Sequence, residues 1–140
     1  MPTHSPLLAV IFLAASGVVM AAPAVETLPS GVKVEHIKVG EGESPKATSQ
    51  VTVHYRGTLL DGTEFDSSYT RGQPASFPLN RVIPCCTEAV QTIKVGGKAR
   101  LQCPPELAYG DRGVPGTIPP GATLTFEVEL LEIVKPGAAK

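Results

Sequence analysis

Three cysteines, a histidine in a strand-like run and an isolated carboxylate are the groups in this chain with the reactivity for covalent or metal chemistry. Cys85 or Cys86 with His54 and Asp66 would supply the nucleophile, base and orienting acid of a thiol hydrolase. Such a site also needs a nucleophile elbow between strand and helix, or an oxyanion loop, and neither accompanies these residues. His54 alternates onto the strand face opposite Tyr55 and reads as a solvated histidine, and His36 likewise reads as surface. Two adjacent cysteines do not easily turn toward one ion, and no second spaced pair exists, so no metal site is expected. Glu127 and Glu129, two apart on the outward face of a strand, are solvating charges rather than paired catalytic acids. The segment from Leu107 to Leu124 points instead to a binding surface. It is rich in Gly and Pro, which fix its backbone, and it runs directly into the alternating Phe126-Glu127-Val128-Glu129-Leu130. An ordered loop on a rigid sheet is where binding surfaces are built.

The elements that must carry this loop are mostly strands. Val32 to Val39 has apolar residues at 32, 34 and 37, closed by the loop Gly40 to Pro45, and reads as an edge strand. Val51, Val53 and Tyr55 share one strand face, with Thr52, His54 and Arg56 on the other. Asp61-Gly62 makes a hairpin turn back toward Phe65 and Asp66. A polar loop over residues 67–76 precedes Phe77 and Leu79. The one helix begins near Pro84, runs through Ile93 and stops at Val95-Gly96-Gly97. Ala99, Leu101 and Cys103 face inward along the next strand, and Leu124, Phe126, Val128 and Leu130 give the clearest alternation in the chain.

The chain has 140 residues and a formal net charge of −1, which suggests neither nucleic acid nor an anionic membrane as partner. Its apolar start, Leu7 to Met20, followed by Ala21, Ala22 and Ala24, reads as an export signal over residues 1–21, with cleavage as late as 24. Membrane contact is then confined to export, and the expected location is the periplasm, or secretion beyond it. A disordered leader over 22–30, one domain over 31–134 and a fraying tail over 135–140 complete the expected organisation. The leader is too short for a dimerising helix, so a monomer is expected.

Val51-Thr52-Val53-His54-Tyr55-Arg56-Gly57, Asp61-Gly62-Thr63-Glu64-Phe65-Asp66-Ser67-Ser68, Val82-Ile83-Pro84 and the Leu107–Leu124 loop occur in one order and spacing. Together they resemble the FKBP family of peptidyl-prolyl cis-trans isomerases, over Gly31 to Val134. The resemblance implies an α+β half-barrel, a twisted antiparallel sheet wrapped around one short α-helix, with an apolar pocket for a proline side chain. It implies rotation about X–Pro amides, with no cofactor or metal, on proline-containing unfolded or folding polypeptides, and inhibition by macrolides of the rapamycin type. Tyr55, Phe65, Phe126 and Phe77 match the aromatic wall; Val82 and Ile83 match the apolar pair ahead of the helix, with the Ile83 N–H as a carbonyl donor. Tyr109 matches the tyrosine whose hydroxyl reaches the carbonyl preceding the proline, and Ile118 a loop contact near the tip. Asp66 matches the pocket carboxylate and Arg71 its ion-pair partner.

Two positions depart from the family pattern. Cys86 stands where the family's pocket floor is usually tryptophan, and Ala75 where some members carry another aromatic, so a deeper or collapsed cup is expected. A non-catalytic or weakly active chaperone-like module on the same fold is the alternative that this departure keeps open. In an oxidising compartment the three cysteines should not all stay free. Cys103 faces the helix starting at Pro84; Cys85 is its partner if Cys86 faces the cup, and Cys86–Cys103 is the competing pairing.

Overall fold

The computed structural model describes residues 24–134. The export signal at 1–21, the first residues of the leader and the tail at 135–140 lie outside the described residues.

Strands β1 (Ala24–Thr27), β2 (Lys33–Lys38), β3 (Gln50–Leu59), β4 (Glu64–Ser67), β5 (Ala75–Pro78), β6 (Lys98–Cys103) and β7 (Leu124–Val134) form one sheet. All its pairings are antiparallel, in the order β1-β2-β6-β7-β3-β4, with β5 also on β3. The inward residues of β7, Leu124, Phe126, Val128 and Leu130, are all buried, as their period of two requires of a central strand. Ala99, Leu101 and Cys103 of β6 are fully buried beside them. Helix α2 (Pro84–Val90) lays Cys85, Ala89 and Val90 into the same core, making the half-barrel expected of an α+β fold. Pro84 opens α2 at a position where no N–H is needed. A disulfide joins Cys85 to Cys103 and ties α2 to β6 with a Cα–Cα distance of 5.6 Å, leaving Cys86 free.

The long edge of β3 is shared. β5 pairs with its first part, Gln50–Val53, and β4 with Arg56–Thr58. The gap between them falls at His54 and Tyr55, where a backbone N–H would otherwise go unpaired. Ser68 closes it: its Oγ accepts the Tyr55 N–H at 2.8 Å and lies 2.8 Å from His54 Nδ1.

Three local expectations are corrected. The leader is not disordered from Ala24 onward: residues 24–27 pair with β2 as strand β1, and the Leu28 N–H and carbonyl close the following turn at Val32 and Gly31. For the same reason β2 is not an edge; it lies between β1 and β6, and a register shift between His36 and Lys38 leaves Ile37 exposed. Within the expected polar loop, Ser68–Arg71 forms a single helical turn, α1, so α2 is not the only helical segment. Ser67 caps α1 through the Thr70 N–H, and Gly72, at φ 81°, terminates it.

Candidate active site

A cavity of about 540 Å³ opens between the concave face of the sheet and α2. β3 contributes Val53 and Tyr55, β4 Phe65 and Asp66, β5 Ala75 and Phe77, and β7 Phe126 and Val128. Arg81, Val82 and Ile83 enter from the turn before α2, Cys86 and Val90 from α2 itself, and Tyr109 from the Gly/Pro-rich loop. Phe65 meets Phe126 edge to face, 5.6 Å between centroids and 87° between planes, and Tyr55 lies 6.5 Å from Phe126. Gly57 makes room for this arrangement. A Cβ there would stand 2.6 Å from Phe65 Cζ and 2.8 Å from Phe126 Cε1.

Asp66 is fixed from two sides. The Tyr55 hydroxyl donates to Oδ2 at 2.5 Å, and Arg71 donates through Nη1 to Oδ1 and through Nη2 to the Tyr55 oxygen at 3.1 Å. Arg71 is the last residue of α1, and its guanidinium carbon is 5.6 Å from the Tyr55 ring centroid. Burial pushes the Asp66 carboxyl up, but the Tyr55 hydroxyl and the Arg71 guanidinium outweigh it and hold the pKa below the ordinary value. Burial, and next the hydrogen bond to Asp66, push the Tyr55 hydroxyl up from its ordinary 10.0. Asp66 is therefore an anion with its charge matched, suited to orienting Tyr55 rather than to giving up a proton.

Neither the Ile83 N–H nor the Tyr109 hydroxyl, both at the cavity, has a protein acceptor among the described residues. Ile83 directs its carbonyl into the first turn of α2, accepting from the Cys86 and Thr87 N–H groups at 3.0 and 3.1 Å, which leaves its own N–H outside the helix ladder. The loop that carries Tyr109 is held by its backbone: Gly110 donates to Pro105, Gly113 to Tyr109 and Gly121 to Gly110, each within 2.9 Å. At the α2 wall, burial pushes the Cys86 thiol up to about 12 and keeps it protonated.

Of the residues singled out from the sequence, Tyr55, Phe65, Asp66, Phe77, Val82, Ile83, Cys86, Tyr109 and Phe126 converge on this one cavity. Arg71 stands behind Asp66 rather than in the lining. Ile118 is not among the lining residues; it is buried, and its backbone is bridged to Val114 in both directions at 2.8 Å. That bridge presses the Ile118 carbonyl against Gly113, where a Cβ would lie 2.3 Å away and φ is +60°. Sequence reasoning missed Val53, Arg81, Val90 and Val128 as wall residues. Period two from Tyr55 and Phe126 marks Val53 and Val128, and the i+4 position from Cys86 marks Val90; Arg81 carries no comparable signal.

The family model for FKBP-type peptidyl-prolyl cis-trans isomerase matches residues 41–131. The chain is 56% identical over 109 residues to the FKBP-type peptidyl-prolyl cis-trans isomerase FkpA of Escherichia coli strain K12, covering 78% of this chain and 40% of that one. It is 46% identical over 113 residues to the peptidyl-prolyl cis-trans isomerase Mip of Coxiella burnetii, covering 81% and 49%. The crystal structure of FkpA from Escherichia coli superposes with a TM-score of 0.75 at 54% identity, over 78% of this chain and 51% of that one. A peptidyl-prolyl cis-trans isomerase structure from Pseudomonas syringae pv. tomato gives 0.76 at 38% identity, over 82% and 84%. The chain thus spans less than half the length of the FkpA and Mip relatives. It belongs to the FKBP-type peptidyl-prolyl cis-trans isomerase family.

Proposed function

We propose that this member of the FKBP-type family is itself a peptidyl-prolyl cis-trans isomerase, acting on proline-containing polypeptides as they fold after export. The observation that carries the reading is the pair of unengaged donors, the Ile83 N–H and the Tyr109 hydroxyl, at the mouth of an aromatic cavity. An X–Pro amide is held planar by resonance behind a barrier of ~18–20 kcal/mol. Resonance places charge on the amide oxygen, and that charge declines as the bond twists; a dry, weakly polar cup therefore favours the twisted form over the planar one. Tyr55, Phe65, Phe77 and Phe126 supply the cup; the Ile83 N–H holds the proline's own carbonyl, and the Tyr109 hydroxyl orients the carbonyl before it, a positioning contact that favours the planar amide and that the apolar walls outweigh. No bond is made or broken, and nothing in the scheme requires a nucleophile or cofactor.

The disulfide between Cys85 and Cys103 suits an oxidising compartment, in keeping with a periplasmic location. The domain is proposed to work as a monomer, which sedimentation tests. Macrolides of the rapamycin type should enter the same cup, with affinity lowered by Cys86 at the floor. That residue also favours the second reading, a binding module of little activity. A cis-trans exchange assay on a short prolyl peptide decides between them: an acceleration abolished by Phe126→Ala supports catalysis, and binding without acceleration supports the module.

A further inference from the structure

Only two charged side chains line the cavity among the described residues, Asp66 and Arg81. Asp66 is matched by Arg71 and hydrogen-bonded to Tyr55. Arg81, at the end of the turn Leu79–Arg81, is exposed and makes no ion pair or side-chain hydrogen bond among the described residues. The mouth therefore carries one uncompensated positive charge beside low-polarity walls, an arrangement that focuses its field on whatever enters. Its position also has a direction. Arg81 is two residues before Ile83 on the same segment, whereas Tyr109 comes from the loop following β6. On the isomerase reading, with the Tyr109 hydroxyl on the carbonyl before the proline and the Ile83 N–H on the proline's own carbonyl, a chain leaving the proline would run on from Ile83 beside Arg81.

We infer that Arg81 is a specificity-determining residue that selects peptides with a carboxylate on the C-terminal side of the proline, Asp or Glu in the next one or two positions. The inference rests on the isomerase reading above and names the substrate class for the same cavity. The guanidinium donates to the carboxylate without a prior partner to displace, and a Lys at the same peptide position meets a like charge. Because the contact is solvent-exposed, it is a weak one, and the preference is a matter of a few-fold rather than of orders of magnitude.

The test compares three peptides that differ only in the residue after proline, Glu, Gln or Lys, with exchange followed by NMR magnetisation transfer so that no protease specificity intrudes. For the native protein, kcat/KM for Glu over Lys should be about three- to fivefold, falling toward one in about 0.5 M salt. Arg81→Gln should bring that ratio close to one, and Arg81→Glu should invert it. Moving the Glu to the residue before proline should abolish the preference. Equal rates for all three peptides, a ratio untouched by Arg81→Glu, or a preference carried instead by the residue before proline would each overturn the assignment. Failure to accelerate any of the three would overturn the isomerase reading itself.

Discussion

The Tyr55 hydroxyl and the Asp66 carboxylate, 2.5 Å apart, are held together by Arg71, which donates to both. The carboxyl pKa lies below its ordinary value, so Asp66 remains ionised throughout the neutral range. A depressed folded-state pKa adds stability above the unfolded value of about 3.9, and that contribution is lost as pH falls through the folded value. Activity on a neutral peptide should accordingly be level from about pH 8 to about pH 5 and decline only below the ordinary carboxylate range. Tyr55→Phe removes one donor to the anion, so the carboxyl pKa should rise toward the ordinary value and the acid limb should shift upward with it. Carboxyl NMR titration alongside the rate profile checks this; an unmoved limb in Tyr55→Phe would separate Asp66 from the catalytic pH dependence.

Ser68 should be worth more than its size suggests. It is fully buried, and its Oγ satisfies the Tyr55 N–H left over between β4 and β5 while contacting His54, whose ring stacks on Tyr69 at 4.6 Å. Ser68→Ala leaves a backbone donor unpaired and should cost ~1–3 kcal/mol in urea unfolding. Because Ser68 begins the turn that ends at Arg71, the variant should also loosen the grip on Asp66 and lower kcat/KM. A stability loss under about 0.5 kcal/mol would mean that water replaces the hydroxyl there.

The difference between what the sequence makes legible and what it hides follows from how each element is held. The β7 alternation with Phe126, and the Val51-Val53-Tyr55 face of β3, are readable because burial of one face imposes a period on the residues themselves, whereas Phe65 is marked only by its match to the family pattern. β1 is invisible to that test: Val25 is 61% exposed, and the strand is held by backbone pairing to β2. α1 is too short to show a helical period, although its cap residues Ser67 and Gly72 are a readable start and stop signal. Ile118 is expected at the cavity from its match to the family's loop contact; its burial in the core, beside a backbone bridge to Val114 formed within the folded loop, has no signal in the sequence.

Gly57 should be intolerant of a methyl group. Its missing side chain is the space in which Phe65 and Phe126 meet, and a methyl carbon there would stand 2.6 to 2.8 Å from their ring atoms. Gly57→Ala must therefore push one or both rings, at an overpacking cost of ~1–3 kcal/mol. Displaced rings reshape the cup, so kcat/KM should fall further than the stability loss alone would suggest. Chemical unfolding and the exchange assay at a temperature where the variant is fully folded test both parts; a variant with native stability and rate would show that the rings can move aside without consequence.

The three cysteines should behave differently. Alkylation of the native protein without reductant should label Cys86 alone, and slowly, because burial pushes its thiol up to about 12 and little thiolate exists near pH 8. In denaturant the same thiol should return to about 8.5 and label rapidly. Breaking the Cys85–Cys103 bond, which closes a separation of 18 residues, should lower stability by ~3 kcal/mol in the chain-entropy account. Cys86→Trp addresses the cup itself: an indole in place of a thiol fills the floor of the cavity and adds apolar contact area, so macrolide binding should tighten. Calorimetric titration of both forms measures the change. Equal affinities, with the variant folded and the disulfide intact, would show that Cys86 does not form the floor on which such ligands rest.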